Sequence, residues 1–238
     1  MLDNLIKKLN DNDSTIGIIG LGYVGLPLSL AYVDAGFNVI GFDVDQQKIN
    51  YLKNGESYIN HIDRNKLKKA IDERKFIPNI DMKEIGKVDA IIICVPTPLD
   101  IHREPDLSYV SNTVKSIMPY IKRGQIVSLE STTYPGTTEK YLKRPIEEMG
   151  WEPGKDIYVV YSPEREDPGN KNYSTSEIAK VVGGSTNNCL RAGKALYEAA
   201  FSQVVPVSSL QTAEMTKLLE NIHRAVNIGL VNELKPVA

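Results

Sequence analysis

A turn of three spaced glycines near the amino terminus constrains the fold of this chain more than any other sequence feature. The turn follows the apolar run 16–19 and precedes an apolar segment that stops at Gly36. A strand, a glycine turn and a helix in this order begin a dinucleotide-binding unit, in which the glycines permit the tight turn and let a pyrophosphate approach the backbone. The free N–H groups at the helix start favour phosphate. We therefore predict that five turn residues contact a dinucleotide: Gly20, Gly22, Tyr23, Val24 and Gly25.

The acidic residue that ends the next predicted strand indicates which dinucleotide is bound. Asp43 follows the apolar run 38–42 and lies 18 residues after Gly25. A carboxylate near this position binds the ribose 2′-OH and repels a 2′-phosphate, so the sequence predicts NAD rather than NADP. Lys48 could reach the same ribose, and it could equally be a solvated lysine. The alternative for the whole motif is a structural turn followed by an unrelated aspartate.

Apolar runs typical of strands alternate with helical patterns from Thr15 to the end of the chain. This alternation predicts an α/β fold with a doubly wound, mostly parallel Rossmann sheet, followed by a long central helix. Asp45 and Asp106 are predicted to cap two of the helices, another helix is predicted over 137–149, and Cys94 falls inside a predicted strand. We divide the chain into a helical extension (1–14), an NAD-binding domain (15–208) and the start of an interdomain helix (209–238). The apolar pattern of that helix still runs at Ala238. We therefore expect a truncated form of a longer protein.

Composition excludes several classes of partner. The net charge of −2 creates no field for nucleic acid or anionic lipid, and the longest apolar run, 90–96, is too short to span a bilayer. Two cysteines, Cys94 and Cys189, cannot build a disulfide framework. We therefore expect a cytoplasmic protein with no nucleic-acid or membrane partner. The three histidines have no metal-ligand spacing, so no metal site is predicted.

Four polar motifs follow predicted strands or lie on the last helix. They are Val95-Pro96-Thr97-Pro98, Glu130-Ser131-Thr132-Thr133-Tyr134-Pro135-Gly136-Thr137, Ser162-Pro163-Glu164-Arg165-Glu166-Asp167-Pro168-Gly169-Asn170, and the helix face of Glu214, Lys217, Asn221 and Arg224. Ligands of open α/β sheets bind beyond the carboxyl ends of the strands, and a buried lysine and asparagine can stabilise an oxyanion. Taken singly, each motif has a structural alternative: a rigid turn for the first, a helix cap for the second, a surface loop for the third and a solvated ion-pair face for the fourth.

In this order, the glycine turn and the four polar motifs resemble the UDP-glucose/GDP-mannose dehydrogenase family from about Thr15 onward. The Ser162–Asn170 loop and Asn221-x-x-Arg224-Ala225-Val226-Asn227 are most similar to the branch that acts on UDP-N-acetylhexosamines, either UDP-N-acetyl-D-glucosamine or UDP-N-acetylmannosamine. The resemblance implies NAD-dependent oxidation of the sugar C6 alcohol to a carboxylate in two hydride transfers through a cysteine thioester. It also implies a role in surface polysaccharide precursor synthesis.

The resemblance also implies residue roles. Thr132 matches the threonine that positions water, Glu164 the general base, and Lys217 and Asn221 the pair that stabilises the oxyanion; Thr97, Thr132 and Asp43 match cofactor contacts. Glu164, Arg165, Lys217, Asn221 and Arg224 fall where this branch meets its sugar substrate.

The family's nucleophilic cysteine lies in a Gly-x-Cys segment beyond the long helix, and Cys94 and Cys189 lack that motif, so both are predicted to be packing residues. We expect the present chain to bind NAD without turning over a UDP-sugar, and the full-length form to be a homodimer through the central helix. Two alternatives remain at this stage. One is a non-catalytic NAD-binding fragment, and the other is a relative of 6-phosphogluconate or 3-hydroxyacid dehydrogenases.

Overall fold

A computed structural model describes residues 1–60, 62–164 and 179–237 of the chain. Within these residues, eight strands form one sheet in the order β3-β2-β1-β4-β5-β6-β7-β8. Neighbouring strands are parallel except for β6 and β7, which are antiparallel. The chain leaves β1 towards β2 on one side and returns to β4 on the other. This order confirms the predicted doubly wound, mostly parallel Rossmann fold.

The strands are β1 (Thr15–Ile19), β2 (Asn38–Phe42), β3 (Phe76–Asn79), β4 (Ala90–Ile93), β5 (Ile126–Leu129), β6 (Tyr158–Tyr161), β7 (Lys180–Gly184) and β8 (Val204–Pro206). The α-helices of the described residues are α1 (Leu2–Asn10), α2 (Gly25–Asp34), α3 (Gln46–Lys53), α4 (Arg64–Asp72), α5 (Ser108–Ile117), α6 (Arg144–Glu148), α7 (Asn187–Glu198) and α8 (Leu210–Leu234). A 3₁₀ helix spans Met82–Lys87, and a π-helical turn, Glu139–Lys143, leads directly into α6.

Each central strand buries side chains on both faces of the sheet. In β4, Ile92 packs into the cluster that contains α1, α2 and α7, whereas Ile91 and Ile93 pack into the cluster that contains α5 and α6. Side chains of a strand alternate between the two faces, so a strand covered on both sides must be apolar throughout. This explains the uninterrupted apolar runs of the sequence, and it leaves the loops at the strand ends as the positions for polar groups.

Side chains that precede the helices fix several helix starts. Asp45 accepts hydrogen bonds from the backbone N–H groups of Gln47 and Lys48, and Ser209 accepts one from Thr212 at the start of α8. Such caps satisfy N–H groups that have no partner inside the helix. The predicted cap Asp45 is confirmed. Asp106, predicted to cap α5, accepts from the N–H of Ser108 at 2.8 Å, one residue before the geometric cap position.

Two parts of the fold differ from the sequence-based expectation. The edge strand β3 was not predicted, because it has four residues and includes Pro78, and proline is tolerated in a sheet mainly at an edge. The helix expected over 137–149 is divided into the π-helical turn and α6, with Pro145 near the start of α6. No helix in the described part of the chain is long and apolar enough to cross a membrane.

Candidate active site

The carboxyl ends of the parallel strands meet at one edge of the sheet, and the predicted site motifs leave from that edge. Gly20 follows β1, Asp43 follows β2, and the Thr97, Thr132 and Glu164 segments follow β4, β5 and β6. The strand order reverses between β1 and β4. In doubly wound sheets, ligands bind at such a switch point. The fold therefore brings the separate sequence motifs to one edge, with the glycine turn beside the switch point.

The glycine turn fits a pyrophosphate. Gly20 has φ +92°, and a Cβ there would lie 2.7 Å from the carbonyl oxygen of Cys94. A Cβ on Gly25 would lie 1.9 Å from the carbonyl oxygen of Gly20, whereas a Cβ on Gly22 would meet no atom within 4 Å. The start of α2 has no side-chain cap. The turn thus offers open space over Gly22 and uncapped helix N–H groups, as phosphate binding requires.

Asp43 is part of the turn's own hydrogen-bonding network. It is buried, and its Oδ2 accepts from the N–H of Leu21 at 2.9 Å, while its Oδ1 accepts from the N–H of Asp45 at 3.0 Å. Lys48 Nζ lies 3.3 Å from the same Oδ2. A carboxylate has about four acceptor positions, so one remains for a ribose hydroxyl. The structure therefore brings the predicted residues Asp43 and Lys48 together at the turn.

Tyr58 also contacts the turn, a contact that the sequence does not indicate. Its hydroxyl donates a hydrogen bond to the carbonyl oxygen of Leu21, and the Lys48 ammonium lies 5.8 Å from the centre of its ring. Burial, followed by the carboxylates of Asp43 and Asp45, raises the pKa of the Tyr58 hydroxyl. The hydroxyl is therefore a neutral donor at neutral pH. Because Tyr58 lies in an irregular loop between α3 and α4, no periodicity marks it.

Thr97 and Thr132, both predicted cofactor contacts, are joined by a hydrogen bond. Thr97 Oγ1 donates to the carbonyl oxygen of Thr132 at 2.7 Å. The neighbouring Ser131 hydroxyl donates to the carbonyl oxygen of Val95 at 2.6 Å. These two bonds hold the loop after β4 against the loop after β5. The side chain of Thr132 is exposed, so it is free to meet a ligand at this edge.

A buried charge cluster lies close to the carboxyl end of β6. Lys180, at the start of β7, forms an ion pair with Glu130, and its Nζ lies 3.7 Å from Oε2 of Glu164. Tyr197 donates to Oε2 of Glu130 at 2.9 Å. Burial raises the pKa of Glu130 to about 8, against the attraction of Lys180. Burial lowers the pKa of Lys180, but Glu130 and Glu164 raise it further, so its net shift is upward.

Sequence reasoning did not identify the ion pair between Glu130 and Lys180. The sequence does show that each of these charged residues borders an otherwise apolar strand. It does not show that β5 and β7 bring the two side chains together. The pair places a cation beside Glu164, the predicted base. Arg165 and the remainder of the predicted Ser162–Asn170 loop lie outside the described residues.

Helix α8 corrects one interpretation of the sequence. A solvated ion-pair face was one alternative for the helix face that Glu214 shares with Arg224, but Glu214 is fully buried and its carboxylate accepts from the N–H of Gly136 at 2.6 Å. The solvated alternative is wrong for Glu214 because the first turn of α8 packs on the sheet, whereas the turns after Glu220 are exposed. Arg224 Nη2 donates to Oδ1 of Asn221 at 3.1 Å. Lys217 is half-buried, and Asn221 and Arg224 are exposed.

Cys94 and Cys189 are both buried and are not joined in a disulfide, as expected of packing residues. Cys94 follows β4 directly, rather than lying inside the strand, and Cys189 lies in the first turn of α7.

In the described ranges, no group of three or more His, Cys, Asp or Glu side chains is arranged to hold a metal ion.

The NAD binding domain of the UDP-glucose/GDP-mannose dehydrogenase family matches residues 14–201. The chain belongs to this family. The match covers the glycine turn, both threonine loops and the buried charge cluster, and NAD is therefore the cofactor of the domain. Membership in this family replaces the earlier alternative of a 6-phosphogluconate or 3-hydroxyacid dehydrogenase relative.

Curated relatives include two bacterial proteins. Protein CapL of Staphylococcus aureus is 40% identical over 221 residues, which are 92% of this chain and 51% of that protein. The UDP-N-acetyl-D-glucosamine 6-dehydrogenase of Pseudomonas aeruginosa is 38% identical over 224 residues, which are 93% of this chain and 52% of that protein. The chain therefore spans about half the length of the curated relatives it matches.

Solved structures show the same fold. The UDP-N-acetyl-mannosamine dehydrogenase Cap5O of Staphylococcus aureus superposes with a TM-score of 0.86 at 36% identity, over 94% of this chain and 54% of that one. A ternary complex of the GDP-mannose dehydrogenase of Pseudomonas aeruginosa superposes with a TM-score of 0.82 at 27% identity, over 92% of this chain and 52% of that one. The similarity to the N-acetylhexosamine enzyme agrees with the branch indicated by the sequence.

Proposed function

We propose that this chain is the NAD-binding part of an enzyme that oxidises the C6 alcohol of a UDP-N-acetylhexosamine to the carboxylate, for surface polysaccharide precursor synthesis in the cytoplasm. The observation that carries the proposal is the meeting of the glycine turn, the Thr97–Thr132 contact and Glu164 at one edge of the sheet. The relatives named for UDP-N-acetyl-D-glucosamine and UDP-N-acetyl-mannosamine support the sugar class.

The cofactor half of the site is the glycine turn with its acidic neighbour. Gly20, Gly22, Tyr23, Val24 and Gly25 would bind the pyrophosphate, and Asp43 with Lys48 would bind the adenosine ribose. NAD supplies the hydride acceptor for both oxidation steps. Thr97 and Thr132 would contact the cofactor from the loops after β4 and β5, on the other side of the switch point.

The base of the reaction would be Glu164. Its carboxylate lies 3.7 Å from the Lys180 ammonium, and a nearby cation favours the ionised form that accepts a proton. Thr132, on the adjacent strand exit, would orient the water that Glu164 deprotonates. The cysteine that the family uses as nucleophile has no counterpart in Cys94 or Cys189, which are buried packing residues.

Lys217 and Asn221 would stabilise negative charge at the C6 oxygen. They are four residues apart on α8, so they lie on the same side of the helix. Arg165 and Arg224 would bind the sugar nucleotide. Arg224 donates to Asn221, which orients the asparagine amide on the helix surface. A charged donor and an amide donor aimed at one oxygen are the usual means of oxyanion stabilisation.

The exposed apolar face of α8 would be the surface through which full-length subunits pair. Leu219, Ile222, Val226, Leu230 and Leu234 are all more than half exposed there. A continuous exposed apolar surface marks an interaction site in most proteins. Val226→Glu should reduce self-association in analytical ultracentrifugation, whereas Asn232→Glu, which adds the same charge elsewhere on the helix, should not.

Two measurements test the proposal. The present chain should bind NAD⁺ in calorimetry but form no NADH from any UDP-sugar, so NADH production by the chain alone would contradict the proposed division of the site. The full-length form should reduce NAD⁺ with UDP-GlcNAc, UDP-GalNAc or UDP-ManNAc in preference to UDP-glucose. NAD⁺ binding without turnover of any of these sugars would instead support a non-catalytic NAD-binding protein.

A further inference from the structure

The backbone of Leu21, the second residue of the glycine turn, is held on both sides by side chains from outside the turn. Its N–H donates to Oδ2 of Asp43 at 2.9 Å, and its carbonyl oxygen accepts from the hydroxyl of Tyr58. Leu21 and Asp43 are buried and Tyr58 is half-buried, so both bonds are largely shielded from water. Hydrogen bonds in such surroundings hold the backbone more firmly than bonds at an open surface.

Lys48 joins these two partners to each other. Its ammonium lies 3.3 Å from Oδ2 of Asp43 and 5.8 Å from the centre of the Tyr58 ring. A lysine ammonium at this distance from an aromatic ring is attracted to it. Asp43, Lys48 and Tyr58 therefore form one connected group, which we call the Leu21 clamp.

We propose that Tyr58 is a positioning residue for NAD, because its hydroxyl fixes the peptide between Leu21 and Gly22 and so aligns the turn for the pyrophosphate before the cofactor arrives. This inference rests on the proposed placement of NAD at the glycine turn. The backbone at Gly22 lies next to Leu21, and it is the part of the turn with open space above it. Binding a phosphate there requires a defined direction of the backbone N–H groups.

The energetic reason is preorganisation. A turn that is already ordered loses little conformational freedom when a ligand binds, whereas a loosened turn must be ordered at the expense of affinity. Glycine makes this loss large, because it is the least restricted residue. A turn with three glycines therefore depends on contacts from outside, and Tyr58 supplies the bond to the Leu21 carbonyl oxygen.

Tyr58→Phe tests the hydroxyl alone, because phenylalanine keeps the ring that Lys48 contacts. We expect the dissociation constant of NAD⁺, measured by calorimetry on this chain, to rise about fivefold, the factor that corresponds to one hydrogen bond. In the cofactor-free protein, amide hydrogen exchange of residues 20–25 should become faster, since the peptide is released on one side.

Tyr32→Phe is the matched control. The Tyr32 hydroxyl also donates to a backbone carbonyl, that of Leu196 at 3.1 Å, and it is buried on α2, the helix that follows the turn. Loss of the Tyr32 hydroxyl should lower the free energy of unfolding about as much as loss of the Tyr58 hydroxyl does. It should leave NAD⁺ affinity and amide hydrogen exchange at residues 20–25 unchanged. This control separates a loss of general stability from a loss of turn order.

The possible outcomes are distinct. Unchanged exchange at 20–25 in Tyr58→Phe would overturn the proposal, and this readout needs neither NAD⁺ nor a sugar, so it is independent of the proposed enzyme activity. Faster exchange with unchanged affinity would show that the clamp does not serve the cofactor. Weaker binding with unchanged exchange would mean that the hydroxyl contacts NAD directly, which would also overturn a positioning role.

Discussion

The carboxylate of Glu214 on α8 accepts a hydrogen bond at 2.7 Å from the backbone N–H of Thr138, 76 residues earlier in the chain. It also accepts from the Thr138 hydroxyl at 2.7 Å and from the N–H of Gly136 at 2.6 Å. Glu214 thus caps the helical segment after Thr138 from a distant part of the sequence. This contact fixes α8 relative to the Thr132 loop. Because Lys217 follows Glu214 by about one helical turn, the contact also fixes the position of Lys217 on that helix.

Glu214→Gln should lower the free energy of unfolding by about 2 kcal/mol, because the charge that strengthens three hydrogen bonds is lost and an amide donor would face a backbone donor. Denaturation with urea measures the change. Glu233→Gln removes the same charge from the exposed end of α8 and should have no measurable effect. Equal stability of the two variants would contradict the capping role of Glu214.

The buried pair of Glu130 and Lys180 predicts a pH dependence of stability. Burial raises the pKa of Glu130 to about 8 in the folded chain, from a value of 4.5 in the absence of the fold. Between these two values the folded state binds the proton more tightly than the unfolded state does. The stabilisation from this group is therefore complete below the unfolded pKa and is lost as the pH rises to about 8.

Glu130→Gln should remove this dependence. Between about pH 5 and about pH 7.5, the unfolding free energy of the unmodified chain should fall more steeply than that of the variant, by up to about 1.4 kcal/mol per pH unit. Urea denaturation across this range gives both slopes. Glu148→Gln, at an exposed position of α6, should keep the slope of the unmodified chain. Parallel curves for Glu130→Gln and the unmodified chain would show that Glu130 does not titrate in this range.

The order of the elements was predictable because each strand is marked by a local apolar run and several helices by a local cap. Strand β2 and the cap Asp45 are confirmed at the predicted positions. The edge strand β3 was missed because it is short, carries a proline and has no alternation to mark it.

The connections within the candidate site were predictable only where they are close in the sequence. Asp43 and Lys48 are five residues apart and both were assigned, whereas Tyr58 reaches Leu21 across 37 residues and Lys180 reaches Glu130 across 50. Whether Glu214 is solvated or buried stayed open, since helical periodicity gives the relative directions of side chains but not which side packs on the sheet.

Asp43→Asn should reduce the preference of the chain for NAD⁺ over NADP⁺ by about tenfold, because the negative charge that opposes a 2′-phosphate is lost while the Leu21 N–H keeps an acceptor. Competitive binding of the two cofactors measures the ratio. Asp45→Asn removes a charge two residues away and keeps a good cap on α3, so its preference should equal that of the unmodified chain. A preference in Asp43→Asn that matches this control would contradict the proposed ribose contact.

Two glycines of the turn should respond differently to alanine. Gly25→Ala places a Cβ 1.9 Å from the carbonyl oxygen of Gly20, so the turn or α2 must shift, and we expect a loss of about 3 kcal/mol in unfolding free energy. Gly22→Ala meets no protein atom within 4 Å, so its thermal unfolding should be close to that of the unmodified chain.

The Cβ of Gly22→Ala would nevertheless enter the space proposed for the pyrophosphate, and NAD⁺ affinity should fall by about tenfold or more. Gly229→Ala, on the exposed part of α8, also meets open space and should retain full affinity while gaining about 1 kcal/mol of stability. Calorimetric titration and thermal unfolding of all three variants separate folding from binding. If Gly22→Ala binds NAD⁺ as tightly as Gly229→Ala does, the pyrophosphate does not lie over this turn.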